Sequence, residues 1–541
     1  MSRYSQTFGS RLEDFWLPLG DERAAGAAIR VPSTHIPANG IGGRFAQGTG
    51  FTFSSRDMEA IKHARTVVSR DEAALLEEPL ARPTVKWRLA ILVALTVLVR
   101  IPLVWSTAAV PAQIVDEQHY VALATSLANG DGFAWTPGNP TSIRPPLYPF
   151  FIAMLWRLSG SQDFQIVRWA QVALGLTSVI VLYSIGRRWF DDRAAFMAAI
   201  GLALYPSLLF SGVLFLTETL FVTLLLLTVL AFARYTERPS IERAFILGIA
   251  LGLSALARSI MWPFILILGP LVWITAGGLR RASKASALLA LLVGYVCVVG
   301  PWSARNSALQ GTFTVVDTMG GLNLLMGNYE HTPEDRMWDA VSLTGSRAWY
   351  HALPTTAPDG GAWTEGKKEK WAQREAVAFM TAHPLVTIRR AVLKFADFWG
   401  LERDFLAGIQ RGYYAPPKWF AVAAGLGITF AYVLVAILGV IGIFLAPPGR
   451  SAHLLLLSII LFTAGVHTVV FGHSRYHLPL IPLVLLYASA AVTWGTWRQL
   501  TTKRPAGLAA LAFTALLLWI WLRELMIRDW DKIQHLIGSG R

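Results

Sequence analysis

The sequence predicts an all-α polytopic membrane protein of about eleven transmembrane helices, with a soluble loop region on the outer face. Three observations carry that expectation. Hydrophobic residues make up 54% of the chain and charged residues only 15%, a balance far from that of water-soluble domains. Apolar runs near the ~20 residues that a bilayer requires recur along most of the chain. The 21 tryptophans supply the interfacial anchors such a protein needs.

Residues 1–86 read as a polar, flexible cytosolic extension with one short helix near 57–77. Its glycine-rich stretch "PANGIGGRFAQGTGFTF" is no phosphate loop, because the GK[ST] ending is missing and no strand precedes it. The opening residues also lack the apolar core of a secretory signal, so targeting falls to the spans themselves.

The expected spans are 88–109, 165–186, 194–213, 217–233, 243–257, 260–277, 285–302, 418–446, 452–471, 477–497 and 506–522. The fourth and fifth are short for a full crossing, and two of the set are candidates for re-entrant segments. With the extension inside, the inner loops are "GRRWFDDR", "RYTERPSIER", "GGLRRASKAS", "PPGRSAH" and "WRQLTTKRPAG". Each carries Arg or Lys, while the short outer loops nearly lack them, which is the positive-inside pattern. A multi-pass plasma-membrane protein with a cytoplasmic N-terminus follows. Its net charge of +14 is assigned to loops facing anionic lipid, and nucleic acid is not an expected partner. The single cysteine, Cys297, lies in an apolar run, which excludes an intrachain disulfide and a Cys-based metal site.

This topology divides the chain into a transmembrane catalytic core over 87–302, an outer-face region over 303–417, C-terminal helices over 418–525 and a short tail over 526–541. The outer region contains two helical patterns, "EGKKEKWAQREAVAFMTAH" and "PLVTIRRAVLKFADFW". The second suits either a helix lying on the membrane surface over a cavity or a loop packed on itself.

The chemistry concentrates on the outer side. The first outer loop, 111–164, contains "VDEQHY", with the adjacent carboxylates Asp116 and Glu117. Apolar spacing from Glu117 to Leu127 predicts an amphipathic helix ended by Asn129-Gly130, with Asp116 near its N-cap. Capping alone is the plain alternative for Asp116. Glu218, in "LFLTETLFV" between the third and fourth spans, is a third carboxylate on the same face. Arg100, Arg144, Arg258, Arg305 and Arg475 all map to the outer leaflet, although positive charge should favour the other side. Each singly could be a snorkelling anchor. Together they call for a common anion, a carboxylate or a phosphate, because guanidinium forks fit either.

In order and spacing, "DEQHYVALATSLANGDGF", "RPPLYPFFIAML", "TETLF", "LSALAR", "PWSARN", "GGLNLLMGN" and "RYHLPLIP" resemble the GT-C class of lipid-phosphate-sugar-dependent glycosyltransferases. In particular they resemble the bacterial group related to protein O-mannosyltransferases and to the aminoarabinose transferases of lipid A. The likeness covers most of residues 88–500.

The resemblance implies a polyprenyl-phosphate-linked sugar donor, a lipid, glycan or protein acceptor, and contact with membrane lipids. Asp116 becomes the favoured catalytic carboxylate, with Glu117 and Glu218 beside it. Arg144, Arg258, Arg305 and Arg475 become phosphate-binding residues, and Tyr120, Tyr148, Asn306, Asn328 and Tyr476 candidate substrate contacts. Asp317 and Asn323, also in the outer region, are placed with Asn328 on the acceptor side. Direct displacement by a deprotonated acceptor hydroxyl predicts inversion at the anomeric centre.

No cofactor is assigned, and a divalent cation is the one addition this chemistry admits. Ile143 stands where the aminoarabinose group often has an acidic residue, which weakens the inference of a bound metal. His119, His467, His473 and His477 are candidate ligands by position only, and packing roles are expected for them.

Rival readings are a transporter, which predicts internal repeats that the sequence lacks, a polysaccharide polymerase or ligase using a lipid diphosphate, and a noncatalytic scaffold.

Overall fold

Within a bilayer only a helix satisfies every backbone donor and acceptor inside one segment, so long apolar runs fold as helices. The computed structural model of the protein describes residues 83–528, apart from 279, 335, 336 and 503. The short helix expected near 57–77, and with it most of the N-terminal extension, lies outside the described residues. Of the two compact units of the chain, Ser10–Ile91 is described only for 83–91, and everything below concerns the unit that begins at Leu92.

The helices are α1 (Pro83–Ser106), α2 (Val115–Asn129), α3 (Leu147–Ser159), α4 (Phe164–Trp189), α5 (Asp192–Leu204), α6 (Pro206–Ser211), α7 (Glu218–Glu237), α8 (Ile241–Ala257), α9 (Ile265–Thr275) and α10 (Arg281–Gln310). The long polar segment adds α11 (Gly320–Gly327), α12 (Glu365–Ala382), α13 (Pro384–Phe398) and α14 (Asp404–Gln410). The chain closes with α15 (Lys418–Leu445), α16 (Arg450–Val469), α17 (Ile481–Thr493) and α18 (Arg504–Arg523). The only β-strands among the described residues form a small antiparallel hairpin, Ala134–Thr136 with Asn139–Pro140, turned at Gly138, whose φ is 82°.

Among the described residues 8 helices are long and apolar enough to cross a membrane. The other expected spans fall on shorter helices. The run 194–213 divides at Tyr205–Pro206 into α5 and α6, because Pro206 has no N–H to continue α5 and instead begins α6. The run 243–257 is α8, of 17 residues. The run 260–277 is a 3-10 turn, Ser259–Phe264, followed by α9.

Two packing features position the site. Helices α8 and α10 meet through glycines: a Cβ at Gly248 would collide with the Leu291 carbonyl, and one at Gly294 with the Phe245 carbonyl. Small residues allow backbones in a membrane to approach this closely. The contact fixes the end of α8, where Arg258 follows.

The second feature joins the first loop to the long polar segment. Thr141 Oγ1 and Ser142 N donate to the Glu365 carboxylate at 2.6 and 2.7 Å, and Thr318 N donates to the Ser142 carbonyl at 3.1 Å. These two regions therefore share one face of the helix assembly, as the sequence expects.

Helix α13 has an inside-out distribution of polarity. Leu385, Ile388 and Val392 are exposed, while Arg390 and Lys394 are buried. Arg390 Nη1 donates to the Tyr329 carbonyl at 2.7 Å, and Lys394 Nζ to Asn328 Oδ1 at 2.7 Å and to the Val469 carbonyl at 2.8 Å. The polar stripe of this helix ties down its own loop, and its apolar stripe is the one left outward.

Candidate active site

Helix α2 places Asp116 in its first turn, where carboxylates are favoured by the helix dipole. The helix ends at Gly130 in the left-handed region, as the Asn-Gly signal predicts. Glu117, one residue on, points elsewhere. Its carboxylate accepts from Gln113 N and Ile114 N, both at 3.0 Å, and from Phe215 N at 2.9 Å. This buried side chain satisfies backbone donors at the start of α2 and just before α7, so its expected catalytic role gives way to an anchoring one.

A cavity of about 510 Å³ collects Asp116 and three of the arginines, while Glu218 is buried just outside its lining and bonded to two of them. Asp116, Tyr120 and Arg144 line it from the first loop, Arg258 from the end of α8, and Arg475 and Tyr476 from the 3-10 turn Ser474–Leu480 before α17. Arg144 Nη2 donates to Asp116 Oδ1 at 2.8 Å, and Arg475 Nη1 to Asp116 Oδ2 at 3.3 Å. Arg475 Nε donates to Glu218 Oε1 at 2.6 Å, and Arg258 Nη2 reaches the same oxygen at 3.2 Å. Two carboxylates thus interlock three guanidinium groups drawn from distant parts of the chain, with positive charge in excess. Arg144 Nε and Glu218 Oε2 are buried without a partner among the described residues.

Burial alone would raise the Asp116 carboxyl, but Arg144 and Arg475 outweigh it and hold the group well below the usual carboxylate range. His119 sits at 2.9 Å from Arg144 Nη2, and burial together with that cation lowers it to about 3, so it is a neutral acceptor here. Tyr120 packs edge-on against Tyr148 and lies under the Arg144 guanidinium.

Other expected site residues lie outside the cavity lining, each with a structural reason. Arg305 donates to the carbonyls of Thr141 and Phe133 and stacks on Trp302, so it holds the first loop rather than an anion. Asn306 bridges Ser142 Oγ and the Val316 carbonyl. Asn328 is taken up by Lys394 and by the carbonyls of Leu324 and Val469. Tyr148 is fully buried on Gln171. Arg100 donates to the Ala203 carbonyl inside the helix assembly.

The remaining histidines are held in contacts within the protein. His477 bridges the Phe398 carbonyl and Glu402, His467 meets the Phe471 carbonyl and stacks on Tyr476, and His473 Nδ1 accepts from Arg475 N. Among the described residues no group of three or more His, Cys, Asp or Glu side chains is placed to hold a metal ion.

Asp317 and Asn323 do line the cavity, and with them come residues that sequence reasoning passed over: Ser259, Glu369, Lys370 and Gln373. The last three lie on α12, where a charged helix pattern reads as a solvated face. Only the close approach of α11 to α12, at Gly321 against the Glu369 backbone, turns that face inward.

Residues 143–303 match the family of dolichyl-phosphate-mannose-protein mannosyltransferases, a segment that holds Arg144, Glu218 and Arg258 but neither Asp116 nor Arg475. No curated protein matches the sequence.

Among solved structures, the apo oligosaccharyltransferase of Archaeoglobus fulgidus is similar at 15% identity and a TM-score of 0.45, over 80% of this chain and 54% of that one. The chain therefore spans about half the length of that relative. ArnT from Cupriavidus metallidurans, bound to undecaprenyl phosphate, is similar at 16% identity and a TM-score of 0.34, over 74% of this chain and 77% of that one.

Proposed function

We propose that the protein transfers a glycosyl unit from a polyprenyl-phosphate donor to an envelope lipid, glycan or protein acceptor at the outer face of the plasma membrane. The observation that carries this reading is the bridging of Asp116 by Arg144 and Arg475 in one cavity with Arg258.

Transfer from a phosphate leaving group needs two things: a base for the acceptor hydroxyl, and positive charge for the phosphate as its glycosidic bond breaks. The interlocked cluster holds both. With no donor present, Arg144 and Arg475 neutralise Asp116, which is then too acidic to be an effective base. Donor phosphate oxygens compete for the same guanidinium forks and loosen their hold on the carboxylate. Asp116 then regains basicity once the leaving group is in place, so donor binding and base activation are coupled. The acceptor oxygen, deprotonated by Asp116, attacks the anomeric carbon, and the bonding pair leaves with the phosphate oxygen. The product anomer is inverted.

The cavity wall beside the arginines is apolar, with Phe221, Leu225, Met261, Trp262, Val466 and Leu480 among its residues, and such a lining suits the first isoprene units of the donor.

The decisive experiment is mass spectrometry of envelope glycans from cells lacking the protein, complemented with the native chain or with Asp116→Asn. The native chain restores the missing glycosyl unit and the variant, equally abundant in the membrane, does not. Full restoration by the variant overturns the assignment of Asp116. Activity that survives chelation supports phosphate neutralisation by arginine alone, whereas activity lost to chelation and regained with a divalent cation moves part of that role to a metal.

A further inference from the structure

The cavity has a second polar wall that the transfer chemistry leaves unused. Asp317, Asn323, Glu369, Lys370 and Gln373 reach it from the stretch after α10, from α11 and from α12. Asp317 accepts from Met319 N at 3.2 Å and from the Ser259 side chain, whereas the rest of this wall is bonded differently from the arginine cluster. Glu369 is 9% exposed, and its one hydrogen bond is a long one, 3.4 Å from Gly321 N to Oε1. Its other carboxyl oxygen, and the side-chain amides of Asn323 and Gln373, make no hydrogen bond among the described residues, although all three residues border the cavity. A carboxyl group this deeply buried normally has its hydrogen-bonding capacity filled, so the open oxygen points to a ligand.

The charge of this wall narrows the ligand. Two carboxyl groups face one lysine, and burial raises both acids, Glu369 to about 7. The wall mixes two acids with one base and has no excess of positive charge, unlike the arginine cluster. It offers planar carboxyl and carboxamide groups that both donate and accept, which is the set that meets vicinal hydroxyls.

Resting on the glycosyltransferase reading, we infer that Asp317, Asn323, Glu369 and Gln373 form a hydroxyl-binding subsite for a carbohydrate unit within the cavity. The carbohydrate is either the sugar carried by the donor or a sugar of the acceptor. The hydrogen-bonding chemistry is shared, and binding measurements tell the two apart.

The test uses the full chain in lipid nanodiscs with three probes: undecaprenyl phosphate, undecaprenyl-phosphate mannose, and free mannobiose. Glu369→Gln, Asp317→Asn and Gln373→Ala are compared with the native chain, the last lying on an exposed position where folding is undisturbed. If the donor sugar is the ligand, affinity for the sugar-bearing lipid falls about tenfold per variant while affinity for the bare lipid phosphate holds, a loss of ~1.4 kcal/mol. If an acceptor sugar is the ligand, both lipids bind as before and mannobiose affinity falls. Unchanged affinity for both sugar-bearing probes in Gln373→Ala and Glu369→Gln overturns the subsite, as does an equal loss for the bare lipid. Failure of the native chain to bind undecaprenyl phosphate instead defeats the transferase reading, and the mannobiose measurement still decides the subsite.

Discussion

The two polar walls of the cavity show opposite ways of keeping charge inside a membrane protein. In the arginine wall, Asp116 and Glu218 are tied to guanidinium groups at 2.6 to 3.3 Å, so removing one member strands another. In the wall from α11 and α12, the groups are barely bonded to the protein and lose little when cut back. A buried ion-pair network is expensive to break, whereas an open hydrogen-bonding surface is not, because its partners come with the ligand. The first wall is organised before substrate arrives, and the second is completed by it.

Asp116→Asn strikes this contrast hardest. Loss of the base lowers turnover by roughly 10²–10⁴-fold, read from single-turnover transfer, with the chain still folded. Turnover above a tenth of native would break the assignment.

Next comes Arg475→Met, which leaves Glu218 with Arg258 alone. The expected cost is ~3–5 kcal/mol in unfolding, against under ~0.5 kcal/mol for Gln373→Ala on the other wall. Equal costs would erase the distinction between the walls.

Glu117→Gln weakens a carboxylate that accepts three amide protons, at a cost of ~1–3 kcal/mol. Turnover per folded molecule then stays well above that of Asp116→Asn, and a comparable fall would restore Glu117 to catalysis.

The smallest effect concerns pH, and its sign differs between the walls. Glu369, raised by burial from 4.5 to about 7, binds its proton more tightly when folded. Its contribution to stability is present at low pH and is lost as pH rises through that window. Asp116, held below its ordinary value, contributes stability above the usual carboxylate range and loses it as pH falls. Unfolding measured across pH should show Glu369→Gln flattening the neutral slope and Asp116→Asn the acid one.

Much of this was legible in sequence where the signal was local. Long apolar runs gave the eight long helices, the Asn-Gly stop gave the end of α2, and charge asymmetry placed Asp116, Arg258 and Arg475 on one face. Direction was not legible. Asp116 and Glu117 are neighbours in sequence, but a helix turns successive side chains about a hundred degrees apart, and only one reaches the cavity. Arg305 and Arg258 look alike as basic residues at span ends, and carbonyls presented by a separate loop decide that one is a tether. The wall from α12 was hidden for the reverse reason, since a strongly charged helix reads as solvated until tertiary contact covers it.

The anchoring of Glu117 has a mechanical consequence. Its carboxylate stitches the backbone preceding α2 to Phe215, three residues ahead of Glu218, so the proposed base and the carboxylate that steadies two arginines are borne on one rigid piece. A shift in either drags the other along. Uncharged substitutions in 111–115, none of which lines the cavity, are therefore expected to blunt proton removal and phosphate capture together.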